Sequence, residues 1–364
     1  MPYTEKYPEK FISRIKRFIP EIFCLFVAAA LFSGACYSAE MPGKALVLKF
    51  DAYSPAAATD EIIRRIMSPV SADRIQSHFG EEATTLPQQS ILLKKENFDF
   101  YLPSGEAPAK GYGLLVFIAP YDQAEIPSEW RKILDRAGII YVAARKSGND
   151  HHMIGRRIPL ALHAYENVSQ QYRLDPQRVY ISGFSGGSRT AMRVALAFPD
   201  IFSGAILNAG SDPFGNTGIA IPPKELFTLF QNHSRIVQVT GTEDDLVVTG
   251  DARMRKSARD LCVRHLASQP MRRTGHALIG GRELDSALSW LEKPDTNAGD
   301  STSCSEKLQL AIDSGLHEVQ DSITNGSKQK AGKQLSAIDN SYGGLAAPAS
   351  VKLARKILSM ENIE

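Results

Sequence analysis

Gly183-Phe184-Ser185-Gly186-Gly187 has the spacing G-x-S-x-G. A serine on a sharp strand-to-helix turn exposes its Oγ, and small neighbours are needed because the turn is strained. The following helix offers free N–H groups and its positive dipole end where negative charge would develop. The pentapeptide alone is weak evidence, and its setting narrows it. Arg178 to Ser182 reads as a strand just before it and Ser188 to Phe198 as a helix just after it. The rival reading is a glycine-rich turn in an α/β protein of another kind.

A serine hydroxyl is a poor nucleophile without a base, and the base needs a group to orient it. One frequent chain order is nucleophile, acid, base. Four histidines follow Ser185, at positions 233, 265, 276 and 317. His276, in Gly275-His276-Ala277, falls in a loop after a short strand and before a helix, where a base is expected. His265 falls in a helical pattern, His233 comes too early, and His317 is near the C-terminal end. For the acid, Glu243-Asp244-Asp245 opens the loop after the strand ending Val239-Thr240-Gly241. Only one carboxylate can face the base; Asp244 is the first choice, Asp245 the second and Glu243 the third. Asn149-Asp150-His151-His152 precedes the serine on another loop. His151 and His152 are candidates for the wall of a substrate cleft. The sequence offers no further ligands at metal spacing beside them, so no metal is expected.

These residues need a scaffold that brings distant loops to one edge. Apolar runs at Gly113–Ala119, Gly138–Ala144, Arg178–Ser182, Phe202–Asn208 and Arg235–Thr240 read as buried strands, with Met271–Thr274 as a short last one. Helical patterns alternate with them at Trp130–Ala137, Arg156–Tyr172, Ser188–Phe198, Pro223–Asn232 and Glu283–Leu291, with Asp251–Ser268 as mixed helix. Such alternation predicts an α/β fold with a mostly parallel sheet and helices on both faces. The Pro-, Asn- and Ser-containing stretch 293–305 reads as a linker, and 306–364 as a small helical C-terminal extension.

Leu174-Asp175-Pro176-Gln177-Arg178-Val179-Tyr180 running into the G-x-S-x-G turn, with Gly241-Thr242-Glu243-Asp244 and Gly275-His276 downstream, resembles α/β-hydrolase esterases of the polyhydroxybutyrate-depolymerase and feruloyl-esterase type. The resemblance covers roughly residues 95 to 292. It implies an α/β-hydrolase fold and a Ser185–Asp244–His276 triad that needs no cofactor. That group usually carries His-Gly after its third strand, where this chain has Ala119-Pro120. Proline has no N–H to donate, so the expected oxyanion donors are the backbone N–H groups of Gly186 and Tyr121. The implied activity is hydrolysis of carboxylic esters, small or polymeric. The alternatives are a serine peptidase of the same fold and a non-catalytic exported binding protein.

The N-terminal segment has another character. Lys6, Lys10, Arg14, Lys16 and Arg17 precede an apolar run from Ile22 to Phe32 and then Ser33-Gly34-Ala35. That order reads as a secretory signal; the rival is an N-terminal transmembrane anchor, but the run is short of the roughly twenty residues that span a bilayer. Residues 1–35 are therefore expected to be an export signal, 36–90 an N-terminal preamble and 91–292 the catalytic domain. Cleavage after Ala35 would expose Cys36 as a candidate lipid attachment point, and ordinary cleavage nearby, for instance after Ser38, is the rival reading; the expected location is a bacterial periplasm or an outer membrane rather than free outside. Export permits a disulfide between Cys262 and Cys304, although spacing does not establish their proximity. The 364 residues carry 42 Lys and Arg against 40 Asp and Glu. This near balance argues against a nucleic-acid partner, which needs a basic face.

Overall fold

The structure is a computed structural model and describes residues 42–81, 87–216, 218–293 and 302–360. The expected export signal and Cys36 lie outside the described residues. Eight strands run in chain order: β1 (Ala45–Leu48), β2 (Phe98–Tyr101), β3 (Tyr112–Ile118), β4 (Ile139–Ala144), β5 (Leu174–Phe184), β6 (Gly204–Asn208), β7 (Arg235–Gly241) and β8 (His265–Met271). They form one sheet in the order β1-β2-β4-β3-β5-β6-β7-β8. β1 and β2 pair antiparallel, as do β2 and β4, and the remaining pairings are parallel.

The helices are α1 (Thr59–Ile66), α2 (Pro69–Glu81), α3 (Ser128–Ala137), α4 (Ile158–Gln171), α5 (Gly186–Ala197), α6 (Lys224–His233), α7 (Val248–Asp260), α8 (Gly281–Leu291), α9 (Thr302–Thr324), α10 (Lys328–Tyr342) and α11 (Ala349–Ser359). The continuous apolar strands are buried on both faces because helices cover both. On one face Leu114, Val116, Ile118 and Ile181 share a hydrophobic core with residues of α4 to α7. On the other, Leu115, Phe117, Tyr141 and Val237 meet α3 and α8. Trp130 of α3 is fully buried, lies edge-on to Phe117 and donates its indole N–H to Ile279 O at 3.0 Å. Truncating it would cost about 3–5 kcal/mol and would loosen the chain just beyond His276.

Several local expectations differ from the structure. The mixed helix expected over 251–268 ends at Asp260; Cys262 turns the chain with φ +59°, and His265 opens β8 instead of sitting in a helix. The last strand is thus His265–Met271, not 271–274. β8 is an edge strand with one covered face, so its pattern is diluted, and Pro270 is tolerated there. The expected preamble supplies the opposite edge strand, β1. The span 293–305 read as a linker already contains the first turn of α9.

The described residues form one compact unit. Ile312 and Ile338 of α9 and α10 join the main core, while Val319, Leu335 and Ile357 enclose a smaller one with Val70 of α2. Cys262 and Cys304 are bonded, tying the start of α9 to the turn before β8. No helix among the described residues is long and apolar enough to cross a membrane.

Candidate active site

The carboxyl ends of β5, β6 and β7 and the loop after β8 converge, as open parallel sheets favour for a site. Ser185 stands between β5 and α5 with φ +55° and ψ −120°, a conformation that costs a non-glycine residue free energy and persists only where its surroundings enforce it. The enforcing contacts are visible. Ser185 N–H donates to Asn208 O at 2.9 Å. A Cβ on Gly183 would stand 2.4 Å from the Gly187 carbonyl carbon, and one on Gly187 would stand 1.9 Å from Ile118 O. Only glycines let the turn close against itself and against β3.

Two further loops reach this turn. His276 Nε2 lies 2.9 Å from Ser185 Oγ, and His276 Nδ1 lies 2.7 Å from Asp244 Oδ2. An ionised carboxylate only accepts, so Nδ1–H donates to Asp244, leaving Nε2 to accept from the serine hydroxyl. The Asp244 side chain is 0% exposed and that of His276 26% exposed. Glu243 and Asp245 on either side are exposed, so one of the three carboxylates faces the imidazole. The ring of Phe184 lies 5.0 Å from that of His276, centre to centre.

The two loops are knitted together by backbone. Thr242 N–H donates to Met271 O and Glu243 N–H to Thr274 O, both at 2.9 Å. Two polar residues that sequence reasoning missed support them. Asn208, buried at the end of β6, donates to Val239 O (3.0 Å) and Ala277 O (3.2 Å) and accepts from Ile279 N–H (3.0 Å). It thereby fixes the segment just after His276. A polar residue closing an apolar strand was the available signal. Asp251 of α7, also buried, accepts from Ser211 Oγ and Thr240 Oγ1, each at 2.5 Å. Burial pushes its carboxyl above the usual carboxylate value.

Gly186 is the first residue of α5, so its N–H has no carbonyl one turn back. Tyr121 lies on the loop after β3, with its side chain exposed and its ring 6.5 Å from that of Phe184. His151 pairs with Asp122 of that loop at 2.8 Å. His152 accepts from Gly155 N–H at 2.9 Å and caps a single π-helical turn, Met153–Arg157. Neither histidine is hydrogen-bonded to the Ser185–His276–Asp244 chain among the described residues. Among those residues, no cluster of three or more His, Cys, Asp or Glu is placed to hold a metal ion.

The strand order, the flanking helices and the serine at the β5–α5 turn define an α/β-hydrolase fold. No protein-family model matches the chain. The poly(3-hydroxybutyrate) depolymerase of Ralstonia pickettii is 29% identical over 100 residues, which is 23% of this chain and 20% of that protein. The chain thus matches about one fifth of that relative's length. Among solved structures, esterase 2 of Thermogutta terrifontis in its apo form is 14% identical with a TM-score of 0.40, covering 55% of this chain and 89% of that one. An S-formylglutathione hydrolase of Staphylococcus aureus is 11% identical with a TM-score of 0.42, covering 56% and 96%. At such scores these two likenesses carry no argument about chemistry.

Proposed function

We propose that the chain is a serine hydrolase that cleaves carboxylic esters through an acyl-enzyme on Ser185. The observation that carries this reading is the continuous relay from Ser185 Oγ through His276 to the buried Asp244, at 2.9 and 2.7 Å. In the first half-reaction Ser185 Oγ forms a bond to the ester carbonyl carbon while its proton passes to His276 Nε2. Asp244 holds the Nδ1–H tautomer and stabilises the imidazolium. The tetrahedral intermediate collapses, the carbon–oxygen bond to the alcohol breaks, and His276 returns the proton to the leaving oxygen. Water repeats the sequence on the acyl-enzyme and releases the acid. Gly186 and Tyr121 N–H groups are assigned to the oxyanion, and His151 and His152 to the edge of the substrate cleft. No cofactor takes part. The relative from Ralstonia favours a polyester or hydroxyalkanoate ester as substrate. Export to an oxidising compartment, with residues 1–35 as its signal and Cys36 as a candidate lipid site, agrees with the Cys262–Cys304 bond.

Hydrolysis of a short-chain nitrophenyl ester by wild type and by Ser185→Ala tests this. The expected loss in kcat is on the order of 10⁶-fold; equal rates for the two proteins would refute the assignment.

A further inference from the structure

Arg157, the last residue of the π-helical turn, is 3% exposed. Single π-helical turns concentrate at functional sites. Among the described residues no carboxylate pairs with this guanidinium, and burial holds its pKa below the usual arginine value. Burying an unpaired charge is expensive, yet an arginine stays protonated. Its nitrogens have specific targets: Nε donates to Ser147 O at 2.8 Å and Nη2 to Ala119 O at 3.2 Å.

Ala119 links the end of β3 to Pro120 and Tyr121. Its carbonyl carbon would lie 3.2 Å from a Cβ placed on Gly187, so this backbone lies against the serine turn. Ser147 belongs to the loop after β4. Two residues on, Asn149 N–H donates to Pro120 O at 3.0 Å. That carbonyl shares a peptide unit with the Tyr121 N–H, and a hydrogen bond accepted at one end of a peptide strengthens donation at the other. Arg157 thus holds together the two loops that position and polarise the Tyr121 N–H.

We propose that Arg157 is a positioning residue for oxyanion stabilisation. It fixes the 119–121 backbone against the serine turn and sets a buried positive charge behind it. The idea rests on the ester-hydrolase reading above. It accounts for how Pro120, which has no N–H, is tolerated in the loop: the donor moves to Tyr121, and a cation behind the loop secures it.

The test uses the full chain and compares wild type, Arg157→Met, Arg157→Lys and Ser185→Ala. It measures kcat and KM on a nitrophenyl ester, and affinity for a trifluoromethyl ketone, whose adduct with a serine carries the oxyanion. For Arg157→Met, kcat should fall about 10²-fold, the loss typical of an impaired oxyanion site. KM should stay within about twofold, and ketone affinity should fall in step with kcat/KM. Arg157→Lys, which keeps charge but not the fork, should fall between wild type and Met. Unchanged kcat and ketone affinity, or a rise in KM alone, would overturn the inference. If Arg157→Met does not fold by circular dichroism, the same criteria applied to Arg157→Lys decide it. An active wild type with an inactive Ser185→Ala and wild-type-like Arg157 variants removes this inference alone. A wild type without esterase activity removes it together with the ester-hydrolase reading.

Discussion

At the scale of the residue, the chemistry depends on which atoms face which. Asp244 is the buried member of three successive carboxylates and the one bonded to His276 Nδ1. Asp244→Asn preserves shape but presents an amide that stabilises the wrong imidazole tautomer; kcat should fall on the order of 10⁴-fold. Asp245→Asn alters an exposed side chain and should leave kcat within about twofold. Steady-state kinetics on both variants checks this, and a larger loss for Asp245→Asn would reverse the assignment. From the sequence, Ser185, His276 and the acidic loop were legible because spacing and chain order constrain them. The choice among the three acids was not settled by spacing, since a loop carries no periodicity to say which side chain turns inward. Asn208 and Arg157 escaped for a related reason: their partners are 31 to 71 and 10 to 38 residues away, so no local pattern records them.

At the scale of the element, the central strands were readable because burial on both faces makes them continuously apolar. The edges were not. β1 has four residues, partly exposed, and β8 holds a proline and has one covered face. α4 carries a consequence for acidity. His163 on it is 3% exposed, and its Nδ1 accepts from Ser54 N–H at 3.0 Å, which requires a neutral ring. Burial lowers its pKa from 6.5 to about 4. The unfolded chain therefore binds this proton more readily than the folded one. The stabilisation is complete above about pH 6.5 and is lost as pH falls toward about 4, amounting to about 3 kcal/mol. Urea denaturation across that range should show the decline, and His163→Gln should flatten it. Equal slopes for the two proteins would contradict the argument.

At the scale of the whole molecule, the chain has a formal net charge of +2, and residues 1–35 hold five Lys or Arg against three Glu. The remaining sequence is balanced at 37 basic and 37 acidic residues, so the slight basicity belongs to the proposed export signal. The Cys262–Cys304 bond spans a sequence separation of 42 and joins the sheet-bearing part to the C-terminal helices. Loop-closure entropy for that length sets its contribution at about 4 kcal/mol as an upper figure. Cys304→Ser should lower the unfolding free energy by up to this amount without changing KM, because the bond lies at the opposite ends of the strands from Ser185. An unfolding midpoint equal to that of wild type would show that the crosslink contributes nothing.

Ser185 is proposed as an activated nucleophile, and a fluorophosphonate reacts with such a serine whatever its substrate. Folded full-length protein treated with the probe, digested and mapped by mass spectrometry should carry a single adduct on Ser185. The adduct should be lost in His276→Ala, which removes the base. Modification elsewhere, or no modification of folded protein, would contradict the account.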